Sequence, residues 1–385
     1  MKSLLISNHY FPPLTGGISH LMGALASALG RDRICCLTSR DDCKNLFGSD
    51  GPRIYCWKRG VRNVVGALSF GGTIAQIIVR ERARAVLLAT VGDGSVALWL
   101  NQWFKLPFVV FAHGNEILVA MRNDSSTETF IATLRRADRV LAVSQFTANL
   151  VAQAGIPPNR IEIIHPGCDT NRFRPLPPSD ELKTRLLGNR AGDRVIVTVG
   201  NLVQRKGQDM VIRSLPLIRQ SNPEITYLIV GDGPYRPELE KLAGAMGVKD
   251  RVIFAGRVAA DDLPDIYALS DVFVMPSRER LDSDDVEGFG LVFLEASACA
   301  KPVVGSWSGG VPDAVVDGVT GLLVNPQDPE EIAKALSRLL LERDFAIQLG
   351  RQGRSRVVSE FNWAYVADRV QGVLGGVVRE KSSRR

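Results

Sequence analysis

Short apolar runs recur along the chain, and each is followed by a turn and a stretch in which apolar residues have helical spacing. Such runs are typical of buried parallel strands, and the spacing after them is typical of amphipathic helices. The alternation therefore predicts an α/β fold with parallel sheets. In the first half the predicted strands are residues 3–7, 33–38, 85–90, 108–112 and 139–143, and the predicted helices include 18–29, 72–81 and 147–153.

A proline-containing segment at residues 171–189 interrupts this alternation, and a second series of strands and helices begins after it. We interpret the segment as a connector, so the sequence predicts two Rossmann-like domains, at residues 1–178 and 179–363. Ligands of such open sheets bind at the carboxyl ends of the strands. The predicted strands of the second series are residues 195–199, 226–230, 252–255, 272–275, 302–305 and 321–324, and the helices include 210–219, 329–341, 344–360 and 363–378.

Charge is unevenly distributed along the 385 residues. Residues 1–185 contain 22 Lys and Arg against 14 Asp and Glu, and the remainder contains 25 against 27. A basic first half suits an anionic partner such as a membrane leaflet or a lipid phosphate, although ordinary solubility charge gives the same count. Nucleic acid is not expected as a partner, because no basic run is interleaved with aromatic residues and no recognition helix is evident.

No apolar run reaches the roughly 18 residues that span a bilayer, and residues 1–6 lead into a strand rather than forming a signal peptide. We therefore expect a cytoplasmic protein, with peripheral contact between the basic first domain and the inner face of the cell membrane. The six cysteines lack the spacing of a disulfide framework or a zinc site, so reduced structural thiols are expected.

Two carboxylates, Glu287 and Glu295, flank the turn and the start of an apolar helix in the second series. The free N–H groups of a helix N-terminus bind anions, and Gly290 lets a ligand approach the backbone closely. Two acids at this spacing also arise by chance on solvated helices, but Glu295 within an apolar helix would be costly unless it is hydrogen-bonded. Because carboxylates accept hydrogen bonds from sugar hydroxyls, the stretch predicts a nucleotide-sugar site.

Cations and glycines follow two other predicted strands. Arg205 and Lys206 lie in the loop after the first strand of the second series, where they could clamp a diphosphate and stabilise it as a leaving group. Gly16 and Gly17 follow the first strand of the chain and offer a second approach point for a phosphate. A solvated cation pair and a simple tight turn are the alternative interpretations.

His113 directly follows the predicted strand at 108–112, a position suited to a substrate contact, although a lone histidine is more often structural. No metal or other cofactor is expected, because the four histidines lack ligand spacing. Asp282 and Asp284 form a D-x-D triplet, but in an acidic loop rather than at a strand end.

Residues 92–97 match the G-x-G-x-x-A pattern of dinucleotide-binding loops, and Glu116 follows about twenty residues later. A dehydrogenase is therefore the alternative from another enzyme class. That fingerprint belongs at the first strand-to-helix turn of its domain, whereas this match falls in the middle of the first series.

Taken together, these motifs resemble the retaining family 4 glycosyltransferases of GT-B fold, over essentially the whole chain. Their order and spacing carry the resemblance, since each motif alone is weakly specific. Residues 203–209 and 285–296 are most similar to the bacterial GDP-mannose-dependent mannosyltransferases that build phosphatidylinositol mannosides. The motifs include Phe11-Pro12-Pro13, Gly16-Gly17-Ile18, His113-Gly114, Pro166-Gly167-Cys168-Asp169, Lys206-Gly207, Gly231-Asp232-Gly233, Pro276-Ser277, the Glu287 and Glu295 pair, and Gly309-Gly310.

The resemblance implies two Rossmann-like domains that face each other across a cleft, with residues 364–385 crossing back to the first domain. It implies an acceptor site in the first domain and a donor site in the second. It also implies a front-face reaction in which the departing phosphate helps to deprotonate the acceptor, without a metal. Catalytic roles are implied for Glu287, His113 and Lys206, and donor contacts for Gly16, Gly17, Arg205, Lys206, Arg257, Val258, Gly290, Leu291 and Glu295.

Individual contacts follow from the same resemblance. Glu287 would bind hydroxyls of the transferred sugar, Glu295 would bind those of the donor ribose, and His113 would contact the sugar or the developing charge. Arg257 and Val258 would line the pocket of the base.

One position departs from the family pattern, because Asn201 stands where the family usually has an arginine. Either Lys206 acts together with Arg205, or the donor is clamped differently, so a UDP-sugar remains an alternative to GDP-mannose. Loss of one charge-assisted hydrogen bond of about 1.5–3 kcal/mol would weaken donor binding. A nucleotide-sugar epimerase of the same architecture is a further alternative. Contacts to a lipid or glycan acceptor are expected at residues 59–62 and 122–129.

Overall fold

A computed structural model gives the architecture of the chain. It describes residues 1–8, 10–14, 16–39, 46–48, 50–57, 64–122, 124–279 and 285–383, with the side chains of these residues except 64–70, 122 and 124–127. This part of the chain divides into two compact units: unit 1 is Met1–Gly167 with Trp363–Arg385, and unit 2 is Cys168–Asn362. The proline-containing segment at residues 171–189, which the sequence predicts as a connector with a division after residue 178, lies wholly within unit 2.

Unit 1 is built on a parallel sheet. Its strands are β1 Ser3–Ile6, β2 Ile34–Thr38, β3 Arg53–Cys56, β4 Val86–Leu88, β5 Phe108–Ala112, β6 Arg139–Ala142 and β7 Ile161–Ile163, and its first helices are α1 Gly17–Leu29, α2 Val64–Glu81, α3 Gly94–Phe104, α4 Asn115–Arg122, α5 Asp124–Arg136 and α6 Gln145–Gln153. In the described residues the strand order is β3-β2-β1-β4-β5-β6-β7, with every recorded pair parallel. The direction of winding therefore reverses between β1 and β4.

Unit 2 repeats this plan. Its strands are β8 Arg194–Val199, β9 Ile225–Val230, β10 Val252–Gly256, β11 Val272–Val274, β12 Val303–Ser306 and β13 Leu322–Val324, and its helices are α7 Asp180–Leu187, α8 Gln208–Ile218, α9 Arg236–Ala245, α10 Leu263–Leu269, α11 Leu291–Ala298, α12 Val311–Ala314, α13 Pro329–Leu341 and α14 Arg343–Glu360. The parallel strands follow the order β10-β9-β8-β11-β12-β13 within the described residues. The reversal point here lies between β8 and β11.

The local sequence explains why these elements form where they do. All five side chains of β5 are buried, and so are all six of β9, because apolar runs of this length suit a sheet covered on both faces. Helix α13 begins where the Asp328 carboxylate accepts hydrogen bonds from the N–H groups of Glu330 and Glu331, with Pro329 in the first turn. The predicted α/β class with two parallel Rossmann-like sheets is confirmed.

The helix that follows unit 2 in the chain, α15 Trp363–Ser383, belongs to unit 1. It packs against α1 and buries an apolar stripe that includes Val370 and Leu374. Two ion pairs of 2.6 Å, from Arg33 to Asp368 and from Arg139 to Glu380, tie its polar side to the rest of the unit. No helix in the described part of the chain combines the length and the apolar character needed to cross a membrane.

Candidate functional site

The sheet of unit 2 brings three of the predicted site residues together at its reversal point. Arg205 and Lys206 lie in a short turn after β8, and Glu287 follows β11. Arg205 Nη1 lies 2.5 Å and Lys206 Nζ 2.6 Å from the same oxygen, Oε2 of Glu287. Arg205 Nε is also 2.6 Å from Oδ1 of Asp285. Cations and carboxylates thus converge at the strand ends where open α/β sheets bind ligands.

This cluster is largely withdrawn from water, with the side chains of Lys206 and Glu287 each 12% exposed. Burial lowers the pKa of Lys206, and the neighbouring charge of Glu287 opposes that effect. For Glu287, burial alone would raise the pKa, but the charges of Lys206 and Arg205 outweigh it and hold the pKa below its usual value. The Glu287 carboxylate is therefore ionised at neutral pH.

Backbone contacts fix the loop that carries the two cations. Gly207 has φ of +75°, and a Cβ there would lie 2.2 Å from the carbonyl oxygen of Pro276, so the approach of these loops requires glycine. The N–H of Arg278 donates to the carbonyl of Arg205 at 2.8 Å. The Arg278 guanidinium also bonds Asp209 Oδ2 at 2.9 Å, in an ion pair whose side chains are about one-tenth exposed. Neither residue of this pair was among the predicted site residues.

Helix α11 begins beside the cluster. Gly290 caps it with φ of +93°, and the first turn contains the N–H groups of Leu291 and Val292, which have no acceptor within a helix. The carbonyl of Glu287 accepts a hydrogen bond of 2.8 Å from the N–H of Gly310, which fixes the chain just before the helix. The predicted helix start and the predicted cations therefore both adjoin Glu287.

Glu295 lies in the second turn of α11 and is partly exposed. Its Oε2 accepts a hydrogen bond of 2.8 Å from the hydroxyl of Tyr267, which lies on α10. Burial raises the pKa of Glu295, and the hydrogen bond from Tyr267 opposes the rise. This bond supplies the partner that a carboxylate within an apolar helix needs, and Tyr267 was missed by the sequence analysis because its partner is 28 residues away.

In unit 1, the predicted residues follow β1 and β5. Gly16, with φ of +140°, precedes α1, which begins at Gly17. The N–H of His113 donates to Oε1 of Glu116 at 2.6 Å, and its ring Nε2 is 2.8 Å from the carbonyl oxygen of Ala89, after β4. Since a carbonyl can only accept, Nε2 carries the hydrogen of this bond, which in a neutral imidazole leaves Nδ1 as the acceptor.

Other predicted positions are exposed after strands of unit 2 or lie outside the described residues. Arg257 is exposed after β10, an edge strand, with Val258 beside it. Asn201 is exposed after β8, and its carbonyl accepts from Gln208 Nε2 at 3.2 Å. Among the residues that the structure describes, no group of three or more His, Cys, Asp or Glu is placed to hold a metal. The positions outside the described residues are Asp282, Asp284, residues 59–62 and Asn123, the last within the predicted acceptor segment 122–129.

Comparison with known proteins identifies the family. The family described as Glycosyl transferases group 1 matches residues 180–356, and the family described as Glycosyltransferase Family 4 matches residues 15–172. A GDP-mannose-dependent alpha-(1-6)-phosphatidylinositol monomannoside mannosyltransferase of Mycobacterium tuberculosis is 35% identical, over 98% of this chain and 99% of that protein. The chain belongs to the family 4 glycosyltransferases. Another relative, a GDP-mannose-dependent monoacylated alpha-(1-6)-phosphatidylinositol monomannoside mannosyltransferase of Corynebacterium glutamicum, is 30% identical over 97% of each chain.

Solved structures agree on the fold of this glycosyltransferase. The crystal structure of Anabaena Alr3699/HepE in complex with UDP superposes with a TM-score of 0.81, at 23% identity over 98% of this chain and 100% of that one. The predicted GT-B fold and the predicted enzyme class are confirmed. The dehydrogenase alternative is set aside, because residues 92–97 lie in a family 4 domain and follow β4 rather than the first strand.

Proposed function

We propose that this glycosyltransferase moves a mannosyl group from GDP-mannose to a phosphatidylinositol mannoside in cell-envelope glycolipid synthesis. The relatives named for that reaction match nearly the whole chain and support the proposal. The structural observation that carries it is the convergence of Arg205 and Lys206 on Glu287 beside the start of α11. A diphosphate needs cations and free N–H groups, and a sugar needs a carboxylate, at the same place.

Donor binding would exchange partners within this cluster. The diphosphate would lie against the first turn of α11, at Gly290 and Leu291, and take over the hydrogen bonds of Lys206 and Arg205. Glu287 would then accept hydrogen bonds from hydroxyls of the sugar, and Glu295 from those of the ribose. Gly16 and Gly17 stay predicted donor contacts, and the exposed Arg257, with Val258 beside it, would flank the base.

In the transfer step, the bond between the anomeric carbon and the diphosphate oxygen breaks, and GDP leaves with the electron pair. The oxygen of the acceptor hydroxyl bonds to the anomeric carbon on the same face, and its proton passes to the departing phosphate. Lys206 and Arg205 stabilise the negative charge of that leaving group. Since two side chains supply this positive charge, we propose that the reaction needs no metal and that chelators leave it unchanged.

His113 would contact the sugar during this step. Its Nε2 donates to the Ala89 carbonyl, so in a neutral imidazole Nδ1 is the nitrogen that can accept a hydrogen bond. A sugar hydroxyl can donate that hydrogen bond. Placed near the ring oxygen of the sugar, the lone pair of Nδ1 would also stabilise the positive charge that develops on the sugar. Replacement of His113 by alanine is expected to lower transfer more than nucleotide binding.

The acceptor would bind unit 1, which contains 23 Lys and Arg against 13 Asp and Glu. Near the end of α3, Trp103 is 68% exposed and Phe104 is 39% exposed, followed by Lys105. Exposed aromatic rings beside basic side chains favour the interface of an anionic membrane. We propose peripheral membrane contact through this surface, tested by co-sedimentation with vesicles with and without anionic lipid.

The test is transfer by the purified protein with radiolabelled GDP-mannose and vesicles that contain phosphatidylinositol monomannoside. A dimannoside product, absent without the acceptor lipid, is the expected result. Parallel assays with UDP-glucose and UDP-galactose in place of GDP-mannose test the alternative that the donor is a UDP-sugar. Incubation with the donor alone separates the epimerase alternative, because an epimerase converts the sugar without an acceptor. Transfer only from UDP-sugars, or donor conversion without acceptor, would overturn the proposal.

A further inference from the structure

The hydrogen-bonding state of Glu295 depends on one side chain. Its neighbours in α11, Leu294 and Ala296, are fully buried, and so is Phe293. Within the described part of the chain, Tyr267 is the side chain that donates a hydrogen bond to the Glu295 carboxylate, at 2.8 Å. The orientation of that carboxylate therefore depends on a residue of another helix.

The ring of Tyr267 is fixed from several sides. It is fully buried, and the ring centroids of Phe173 and Phe273 each lie 6.0 Å from its own. Helix α10 ends nearby at carbonyls of Ala268 and Ser270, and both accept hydrogen bonds of 2.8 Å from Lys301 Nζ. Because the ring and its helix are both anchored, the hydroxyl occupies a defined position.

Tyr267 also has the protonation state of a donor. Burial and the adjacent charge of Glu295 raise the pKa of its hydroxyl well above the ordinary value. A buried neutral hydroxyl without an acceptor would be costly, and Glu295 Oε2 is the acceptor in reach. A carboxyl group has acceptor positions on both oxygens, so this single bond leaves positions for the two hydroxyls of a ribose.

We propose that Tyr267 is a positioning residue, whose hydroxyl holds the Glu295 carboxylate in the orientation that accepts hydrogen bonds from both hydroxyls of the donor ribose. This rests on the proposed role of Glu295 in nucleotide binding. A carboxylate free to rotate would have to be ordered when the nucleotide binds, and that ordering would weaken the complex. The pair would act mainly on the affinity for ribose hydroxyls.

The experiment compares the affinities of GDP and 2′,3′-dideoxy-GDP by calorimetry, for the native protein and for variants. Tyr267→Phe removes only the hydroxyl. It is expected to weaken GDP binding by about threefold to tenfold, the effect of one net hydrogen bond, and to change dideoxy-GDP binding by less than about twofold. Glu295→Gln is expected to abolish most of the preference for GDP. In the double variant, Tyr267→Phe should add no further loss.

A matched control is Tyr227→Phe in the same unit. Tyr227 is also fully buried, and its hydroxyl bonds Thr198 Oγ1 at 2.8 Å instead of a carboxylate of the site. This variant should lose stability without changing the ratio of the two affinities. If Tyr267→Phe kept the native ratio of the GDP and dideoxy-GDP affinities while Glu295→Gln lost it, only the positioning role of Tyr267 would be overturned. A native ratio in Glu295→Gln would instead contradict the proposed role of Glu295 itself.

Discussion

At the residue scale, the main result is that Glu287 already has cationic partners. Arg205 and Lys206 both bond one of its oxygens in a partly dehydrated cluster. A carboxylate in this place neutralises the buried positive charge of Lys206 and shares that of Arg205 with Asp285. Glu287 therefore holds the cations, in addition to its proposed role in binding the sugar.

Substitution of Glu287 and substitution of a cation are therefore expected to affect different properties, sugar transfer in the first case and GDP binding in the second. Glu287→Gln should lower sugar transfer by 100-fold or more, on the order of 3 kcal/mol of lost transition-state stabilisation. Its affinity for GDP should stay the same or increase, because the cations no longer have a competing carboxylate. Lys206→Ala should weaken GDP binding by about tenfold to 100-fold. Calorimetric titration with GDP and initial rates check both, and weaker GDP binding in Glu287→Gln would contradict this division.

Asn201 allows a test by gain of function. It is exposed beside the loop that carries Arg205 and Lys206, so a longer side chain has room there. Asn201→Arg should lower the KM for the nucleotide-sugar donor by about tenfold, since a charge-assisted hydrogen bond contributes about 1.5–3 kcal/mol. The neutral Asn201→Gln is the control and should leave KM unchanged. An equal effect of both substitutions would show that charge is not responsible.

At the element scale, the site is assembled from turns at the ends of β8 and β11 and from the start of α11. Those turns are held by close backbone contacts, such as that of Gly207 with Pro276, and by the ion pair of Asp209 and Arg278. The strands and helices supply the buried apolar side chains of the fold, and the turns supply the charged side chains of the candidate site. Substitutions that alter a turn should therefore affect binding before they affect the fold.

Gly290 gives the clearest test of this expectation, because its left-handed backbone conformation caps the start of α11. A Cβ there would also lie 2.6 Å from the ring of Phe293. Gly290→Ala should destabilise unit 2 by about 1–3 kcal/mol and weaken GDP binding, as measured by urea unfolding and titration. The control is Gly244→Ala in α9, where a Cβ meets nothing within 4 Å, and it should stabilise by about 0.5–1 kcal/mol. Unchanged GDP affinity in Gly290→Ala would argue against this helix start as the phosphate site.

The sequence predicted the buried strands well, because an apolar run between turns has few alternatives to a covered parallel strand. It missed β3, which is half-exposed and begins with Arg53, and β7, which has three residues. Of the cluster, Glu287 and Lys206 were predictable from motif spacing. Tyr267 and the Arg278 partner of Asp209 were not, because strand order and register, rather than local pattern, bring residues so distant in sequence into contact.

At the scale of the whole molecule, unit 1 contains a charge cluster away from the predicted site residues. Glu81, at the end of α2, accepts hydrogen bonds from Lys2 at 2.8 Å, Arg53 at 3.0 Å and Tyr55 at 2.5 Å. Burial alone would raise the pKa of Glu81, but these bonds lower it to about 2. The cluster joins the residue before β1, the edge strand β3 and helix α2.

This cluster predicts how stability depends on pH. Because the folded pKa of Glu81 lies below its ordinary value of 4.5, its contribution is complete above about pH 4.5 and is lost as the pH falls towards 2. The pKa difference corresponds to about 3 kcal/mol. Urea unfolding of Glu81→Gln should show a large deficit against the native protein at pH 7 that shrinks below pH 4.5. Glu240→Gln, at an exposed pair on α9, should show none.

Because α15 belongs to unit 1 but follows unit 2 in the chain, the order of synthesis on the ribosome affects how unit 1 is completed. Unit 2 is one continuous segment, so it can complete its contacts once Asn362 has emerged. Unit 1 begins first but lacks the helix that packs on α1 until residues after unit 2 have been made. Unit 1 therefore starts to form before unit 2 but is completed after it, and the α1 surface that α15 covers stays exposed while unit 2 is translated.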